Sequence, residues 1–303
     1  MSIRPIKSIV QAKPTIEGAG VKLRRAFGFG NTEEFDPFLL FDDFRNESPE
    51  DFLAGFPWHP HRGIETITYV LAGSVAHGDS LGNKGEMGPG DVQWMTAGSG
   101  ILHQEMPKGD PRGRMHGFQL WANLPSSLKM TDPRYQDVPA RDIPEVTDDD
   151  GTRVRVVCGD FWGKTGPVQG VAADPRYLDV WVPPGKRKVL PVETTRHAFA
   201  YVFEGAGTFR DASQPLEPNT ELVGTPAPAA VGAGETGNRS LVLFDRGDEV
   251  VVKAGDQGIR FLLVSGKPIE EPVAWYGPIV MNTREQLRQA YDELQDGTFI
   301  KKR

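Results

Sequence analysis

The sequence predicts an all-β fold made of two antiparallel, jelly-roll-like β-barrels, followed by a single C-terminal helix. Three observations lead to this prediction. The chain has 303 residues, which suits two medium-sized domains better than one small barrel. Its 35 glycines and 25 prolines are spread along the chain, as is typical of many short strands joined by turns. Finally, an apolar strand pattern in the first half recurs in the second half.

Short β-branched and aromatic runs, each ended by a turn, predict the individual strands. In the first half these runs are residues 66–71, 91–95 and 115–121, and the turn Gly88-Pro89-Gly90 precedes the second of them. In the second half they are residues 177–182, 198–203, 241–244 and 259–264. Hydrophobic residues make up 38% of the chain, so a packed core can form behind these strands.

A weak internal repeat predicts two barrels of similar build. The sequence YVLAG at residues 69–73 resembles YVFEG at residues 201–205, and each closes an apolar strand with a turn glycine. A polar stretch rich in proline and aspartate lies between residues 126 and 151. We therefore expect a first barrel over residues 1–135, a linker over residues 136–150, and a second barrel with the helix over residues 151–303.

The C-terminal helix is predicted from one apolar face and from its end signals. Thr283 and Gln286 have the spacing of a capping box, and Asp296-Gly297 ends the pattern. We expect the helix to pack across a barrel and to have no chemical role. The apolar positions follow the spacing i, i+3, i+4 and i+7: Leu287, Ala290, Tyr291 and Leu294.

Charge and cysteine content exclude several classes of protein. The net charge of -7 argues against direct DNA binding and against coating of an anionic membrane. The single cysteine, Cys158, cannot form an internal disulfide and stands in an apolar run, which favours a small buried hydrophobe. The start lacks a signal-peptide pattern, and no apolar stretch is long enough to span a bilayer. We expect a soluble, cytoplasmic protein.

Two histidine motifs point to a metal site in the first barrel. His59 and His61 form an H-x-H pair, so in an extended strand both imidazoles face the same side. His103 and Glu105 repeat this arrangement with a carboxylate, and Glu65 shares the parity of the first pair. A lone H-x-H often marks only a surface strand. Two such pairs on neighbouring strands would instead bring three imidazoles and a carboxylate into the barrel interior.

This ligand set suits a borderline divalent transition metal. Three histidines and one carboxylate leave two positions open in an octahedral site, as a non-haem Fe(II) centre requires for a substrate and dioxygen. Fe(II) is therefore the expected metal, with Mn, Co, Ni, Cu and Zn as alternatives. No cysteine lies near the motifs, which argues against a structural zinc cluster.

The two motifs, read in full, resemble the pirin family of the cupin superfamily. The similarity is carried by residues 56–66, FPWHPHRGIET, and residues 90–107, GDVQWMTAGSGILHQEMP. Residues 36–44, DPFLLFDDF, and 117–125, GFQLWANLP, extend it, and it continues more loosely to the final helix. The resemblance implies a bicupin. The chain departs from the general cupin motifs, because Gly55 stands too close to His59 and the second motif lacks its Pro and Asn. These departures are themselves pirin-like.

The resemblance implies which residues bind the metal and which line the site. Carried over residue by residue, the ligands are His59, His61, His103 and Glu105. Glu65 then becomes a neighbouring cavity residue, but it stays a rival ligand because it has the same strand parity as His59 and His61. The candidates to line an apolar pocket beside the metal are Phe56, Trp58, Trp94, Met95 and Phe118, and ordinary barrel packing is an equal alternative for each of them.

The remaining histidines have other expected places. His116 is expected to point into the first barrel, as a core or pocket residue. His77 precedes Gly78-Asp79 and is expected at a turn or rim. His197 has no H-x-H partner, so the second barrel is expected to be metal-free.

The resemblance also implies a function. Members of the family are credited with quercetin 2,3-dioxygenase activity, so we expect oxidative ring cleavage of a flavonol or similar enolic aromatic by dioxygen, with Glu105 as the catalytic base. The alternative is an iron-binding, redox-responsive regulator that binds a transcription factor or a metabolic enzyme. A third option, another cupin chemistry such as an isomerase or decarboxylase, is disfavoured by the missing Asn.

Overall fold

The computed structural model describes residues 2–210 and 234–301, and it confirms the predicted all-β bicupin fold. The first half of the chain supplies twelve strands and a short helix. In chain order these are β1 (Ile6–Gln11), β2 (Lys13–Glu17), β3 (Val21–Phe27), α1 (Thr32–Phe35), β4 (Phe38–Asp43), β5 (Phe56–His61), β6 (Ile64–Ala72), β7 (Ser74–Asp79), β8 (Lys84–Met87), β9 (Val92–Thr96), β10 (Ile101–Lys108), β11 (His116–Asn123) and β12 (Arg134–Val138).

The second half supplies the remaining strands and the C-terminal helix. They are β13 (Glu145–Thr147), β14 (Arg153–Cys158), β15 (Asp160–Phe161), β16 (Lys164–Thr165), β17 (Arg176–Val182), β18 (Arg187–Pro191), β19 (His197–Phe209), β20 (Thr236–Gly237), β21 (Ser240–Phe244), β22 (Glu249–Gly266), β23 (Ala274–Tyr276), β24 (Ile279–Met281) and α2 (Arg284–Gln295). No helix among these residues is both long and apolar enough to cross a membrane.

Two antiparallel sheets form the first barrel. One has the strand order β12-β9-β6-β11-β4-β3-β2, and the other has the order β5-β10-β7-β8. Side chains from both sheets meet in the interior, where Val21 and Val70 of the large sheet pack with Val75 and Met87 of the small one. The polar ligand candidates lie on β5 and β10, so the small sheet supplies the predicted metal site.

The second barrel is formed around a sheet of nine strands in which β22 and β19 are the longest. Strand β22 pairs with β17, β18 and β19 along its 18 residues and so connects opposite parts of the barrel. The interior is filled with apolar side chains such as Val156, Leu178, Phe261 and Leu263, all 2% exposed or less. That the second barrel is metal-free stays a prediction.

The predicted domain boundaries do not coincide with the ends of the sheets. Strand β1, at the N-terminus, pairs with β21 of the second barrel. Strand β12 crosses the boundary at residue 135 and pairs with β9, while β13 lies inside the predicted linker and pairs with β14. These segments form backbone ladders at sheet edges despite their proline and aspartate content, and the domain boundaries stay a prediction.

The C-terminal segment, residues 274–301, returns to the first barrel. Ile279 forms a bridge with Arg62, and Val280 is buried with Ile64 and Ile101. The predicted capping box of α2 is present: the hydroxyl of Thr283 accepts from the Gln286 amide at 3.2 Å, and the Gln286 side chain accepts from the Thr283 amide at 3.1 Å. The helix packs on β24 through its buried Ala290.

A shared aromatic core joins the two barrels. Phe199 of β19 lies among four rings of the first barrel, with centroid distances of 5.4 to 6.1 Å. Cys158 is buried in the same core, where burial raises the pKa of its thiol to about 12, so it packs as a small hydrophobe. The four rings are those of Phe27, Phe35, Phe38 and Phe41.

Replacing Phe199 by alanine should lower the free energy of unfolding by about 3–5 kcal/mol, because it opens a cavity in this shared core. Denaturant unfolding followed by circular dichroism measures the change. Leu53→Ala is a suitable control, since Leu53 is 51% exposed. A loss no larger than that of the control would contradict a core shared by the two barrels.

Candidate metal centre

Three histidines meet on the two neighbouring strands β5 and β10. His59 and His61 alternate along β5, and His59 lies directly opposite His103 in the ladder. One ring nitrogen from each residue lies within 4.8 Å of the others, and His61 and His103 are 2% and 1% exposed. The period of two along a strand, together with the β5–β10 register, thus brings the three imidazoles predicted from the sequence to one place.

Hydrogen bonds orient two of these imidazoles. The Nδ1 atom of His59 lies 2.8 Å from the carbonyl oxygen of Pro57, and that of His61 lies 3.0 Å from the carbonyl oxygen of Pro278. Because a carbonyl can only accept, both Nδ1 atoms carry the proton, and each Nε2 atom keeps a lone pair. The two Nε2 atoms are 3.1 Å apart, an arrangement that a shared cation would stabilise.

His103 completes a donor set that fits a divalent transition metal. Both of its ring nitrogens are buried and have no hydrogen-bond partner among the described residues. Burial lowers the pKa of His61 and His103 well below 6.5, and the neighbouring histidines lower it further. Burial also lowers the pKa of His59. Neutral imidazole is the form that binds metal, so the residues present fit a bound ion.

Glu105 lies on the cavity wall beside this group. The carboxylate is buried, and its Oε1 atom accepts a hydrogen bond from the Thr68 hydroxyl at 3.0 Å. Burial raises the pKa of Glu105 to about 7, and the bond from Thr68 opposes this shift. Its oxygens are not part of the 4.8 Å group, and Glu105 stands opposite Phe56 of β5, beyond a shift in register after His103. Its role as a fourth ligand stays a prediction.

Glu65 points away from the three histidines and does not line the cavity, so it is neither the neighbouring cavity residue nor the rival ligand that the sequence suggested. The chain turns at Arg62 and Gly63, where Gly63 has φ +77°, and this turn breaks the parity between β5 and β6. The Oε1 atom of Glu65 accepts from the Thr96 hydroxyl at 2.7 Å. Glu65 shares the face of β6 that packs against the second barrel, and burial raises its pKa to about 7.

His77 is closer to the centre than expected. It lies within β7, is 4% exposed, and stands opposite Glu105 in the β10–β7 ladder. Its ring centroid is 5.3 Å from that of His103 and 5.0 Å from that of Tyr135. The Gly78-Asp79 pair suggested a turn at this point, but the strand continues to Asp79 and the chain reverses only afterwards.

The other two histidines lie outside the centre. His116 stands half-buried at the start of β11, where its Nε2 atom lies 2.7 Å from a carboxylate oxygen of Glu47, so it is neither a core nor a pocket residue. His197, in the second barrel, has its Nδ1 atom 2.7 Å from the carbonyl oxygen of Asp36.

A cavity of about 460 Å³ opens beside the histidines. Phe56 and Trp58 line it, whereas Trp94, Met95 and Phe118 do not and instead take the alternative of barrel packing. Trp94 and Phe118 lie in the core between the barrels, and Met95 packs with Ile64 and Val280. Alternation along β9 and β11 explains the positions of Trp94 and Phe118, because only every second side chain of a strand faces the interior of the first barrel. Met95 has the opposite parity to Trp94 and lies on the other face of β9, outside the cavity lining. Apolar lining residues include Val21, Leu23, Phe44, Phe52, Val75 and Met115.

The C-terminal segment supports the turn that positions His61. The amide of Val280 donates to the carbonyl of Arg62 at 3.1 Å. The buried ammonium of Lys129 donates to the carbonyls of Gly63 at 2.9 Å and Val280 at 3.1 Å, and to the Asn123 amide oxygen at 2.8 Å. No sequence signal linked these distant residues to the histidine motif.

The guanidinium of Arg62 fixes the same turn from the other side. It donates to the carbonyls of Ser99 at 2.8 Å and Phe299 at 2.9 Å, and it forms an ion pair of 2.8 Å with Glu293 of α2. The Cζ atom of the Arg62 guanidinium also lies 4.1 Å from the centroid of the Phe299 ring. The end of the chain is thus attached to the residue that follows His61.

Two barrels with a three-histidine group in the first define a bicupin with a candidate metal centre. Comparison with known families agrees: the Pirin model matches residues 20–122, and the Pirin C-terminal cupin domain matches residues 177–300. The chain belongs to the pirin family. A curated pirin-like protein of Caulobacter vibrioides is 44% identical over 300 residues, which cover 99% of this chain and 100% of that protein.

Solved structures are similar over most of the chain. A quercetin 2,3-dioxygenase from Acinetobacter baumannii superposes with a TM-score of 0.84 at 30% identity, covering 98% of this chain and 99% of that one. A bacterial pirin from Escherichia coli, solved in complex with nickel(II), has a TM-score of 0.61 at 22% identity, covering 86% of this chain and 100% of that one. The second similarity supports the fold alone.

Replacing His103 by alanine should weaken zinc binding by more than the roughly 10- to 100-fold typical for the loss of a group that only orients a ligand. The reason is that His103 supplies one of three buried donors. Calorimetric titration of the metal-free protein with zinc measures the change. His116→Ala is the matched control, since that imidazole contacts Glu47 instead. Equal affinities of the two variants would exclude the three-histidine site.

Proposed function

We propose that this protein is a metal-dependent dioxygenase that opens the central ring of a flavonol such as quercetin. The observation that carries the proposal is the mainly apolar cavity of about 460 Å³ that reaches a group of three histidines. This volume lies within the range of small-molecule sites. The quercetin 2,3-dioxygenase from Acinetobacter baumannii, similar over almost the whole chain, supports the choice of substrate.

Fe(II) is the proposed metal, held by His59, His61 and His103, with Glu105 as the proposed fourth ligand. Neutral imidazoles also suit nickel, copper, cobalt or zinc, and the similar Escherichia coli pirin was solved with nickel(II). When bound, the ion supplies the Lewis acidity that makes a substrate hydroxyl more acidic and the redox chemistry that dioxygen requires.

The chain's own residues bind the substrate and move its proton. Phe56 and Trp58 offer aromatic surfaces to a flat ligand, and the apolar lining excludes water from it. Glu105 is the proposed acceptor of the proton of the 3-hydroxyl group, because it is a buried carboxylate on the cavity wall. Thr68 fixes the direction of that carboxylate through its hydroxyl.

A second candidate function is a metal-dependent regulator that binds another protein. The observation that favours it is a set of exposed apolar side chains, two of which also line the cavity. Phe29 and Trp58 are each 55% exposed, and Tyr276 next to the lining residue Gly277 is 67% exposed. Such a surface beside a metal centre suits contact with a protein partner.

Metal analysis and a quercetin assay on the same preparation separate the two functions. The dioxygenase predicts about one iron per chain and loss of quercetin absorbance when oxygen is admitted, and His59→Ala should lose both. His116→Ala should keep both, because that residue lies outside the centre. Bound iron without turnover would exclude the dioxygenase and favour the regulator.

Replacing Glu105 by glutamine should lower kcat by roughly 10²–10⁴-fold, the usual contribution of a general base. The protein should still bind metal through its three histidines. Stopped-flow turnover and metal content, measured on one sample, check both statements. Unchanged kcat with metal retained would remove the proposed role of Glu105.

A further inference from the structure

One wall of the cavity carries a row of polar side chains that the apolar lining does not require. Arg25 of β3 lies opposite Asp42 of β4, Asp42 lies opposite Gln119 of β11, and Gln119 lies opposite Thr68 of β6. All four residues line the cavity. Direct opposition on adjacent strands places them side by side across the sheet, in one line perpendicular to the strands.

The row begins next to the three histidines and runs away from them. At its near end, the Thr68 hydroxyl lies 3.0 Å from Glu105 and 2.9 Å from Gln119. Trp121 follows Gln119 by two residues on β11, and its ring centroid lies 5.0 Å from that of His61. Since adjacent strands are about 4.8 Å apart, Arg25 lies roughly 14 Å from Thr68 along the sheet. A flat molecule held by its chelating group at the metal would therefore extend along this row.

Acceptors dominate the far end of the row. Both oxygens of Asp42 accept from Arg25, at 2.8 and 2.7 Å, and the third nitrogen of the guanidinium, Nη1, is 2.9 Å from Glu17. One guanidinium is thus shared by two carboxylates, so this end carries an excess of negative charge. Each carboxylate oxygen has a further lone pair, which suits a hydroxyl donor and disfavours a ligand carboxylate or phosphate.

We propose that this row, with Asp42 and Gln119 as specificity-determining residues, selects neutral polyhydroxylated aromatics by accepting hydrogen bonds from ring hydroxyls far from the metal. The inference rests on the proposed function and names the residues that determine specificity at the same site. An aromatic that chelates the metal but lacks the other hydroxyls forms none of these additional hydrogen bonds, although Asp42 and Gln119 keep their contacts with Arg25 and Thr68, so it binds more weakly.

The test compares the binding of two flavonols with the same chelating group. Quercetin carries additional ring hydroxyls, whereas 3-hydroxyflavone lacks them. The full chain is loaded with zinc, which has no redox chemistry, so binding is scored without ring cleavage. Tryptophan fluorescence at pH 7.5 gives both Kd values, and Asp42 is ionised there although burial raises its pKa to about 6.

Wild-type protein should bind quercetin about 10- to 100-fold more tightly than 3-hydroxyflavone, the range expected for hydrogen bonds to a charged group. Asp42→Asn should lose most of this preference while its Kd for 3-hydroxyflavone stays unchanged. Asp256→Asn is the matched control, because Asp256 is an exposed carboxylate on the second barrel and should keep the preference.

Equal Kd values for the two flavonols in the wild type, or an undiminished preference in Asp42→Asn, would overturn the proposal. If Asp42→Asn does not fold, Gln119→Met gives the same test, since Gln119 is half-buried, and an undiminished preference there would equally overturn it. Selective binding in the zinc form without turnover in the iron form would remove the dioxygenase and leave the hydroxyl selectivity standing.

Discussion

The turn at Arg62 and Gly63 is the constraint on which the geometry of the site depends. It separates β5, whose histidines face the cavity, from β6, whose Glu65 faces the second barrel. Only glycine fits at residue 63, because φ is +77° and a Cβ would lie 1.9 Å from the carbonyl oxygen of Val280. The close approach of Val280 in turn places the carbonyl of Pro278 where it can accept from His61. The C-terminal segment therefore takes part in orienting a histidine more than two hundred residues away.

The large sheet of the first barrel has the cavity on one face and the second barrel on the other. On β6, Thr68 faces the cavity while Ile67 and Tyr69 face the second barrel, and on β11 Gln119 and Phe118 divide in the same way. Both faces are covered, which explains why β4 and β9 are buried at every position. A sheet buried on both sides holds its strands in fixed register, and this register aligns the polar row of the cavity.

Sequence patterns predicted the features that depend on local spacing. The H-x-H pair fixed the common side of His59 and His61, and the capping box of α2 followed from Thr283 and Gln286. Patterns failed where the outcome depended on a turn or on which face is covered. Parity could not reveal that Glu65 is reversed by the turn at Gly63, and hydrophobicity alone could not assign Trp94 to the core between the barrels. Neither histidine motif predicted the hydrogen bond from Lys129 to the carbonyl of Gly63.

The contrast between the two interiors explains why the cavity lies in the first barrel. The second barrel is filled by residues such as Val180, Leu190 and Phe261, whose close packing would be lost if a void opened there. The first barrel instead holds polar side chains that are satisfied by one another, as Thr68 is by Glu105 and Gln119. The shared aromatic core packs the second barrel against the face of the large sheet that lies opposite the cavity, so this sheet is close-packed behind the cavity wall. A rigid wall is what a site needs in order to hold three histidines and a ligand in fixed relation.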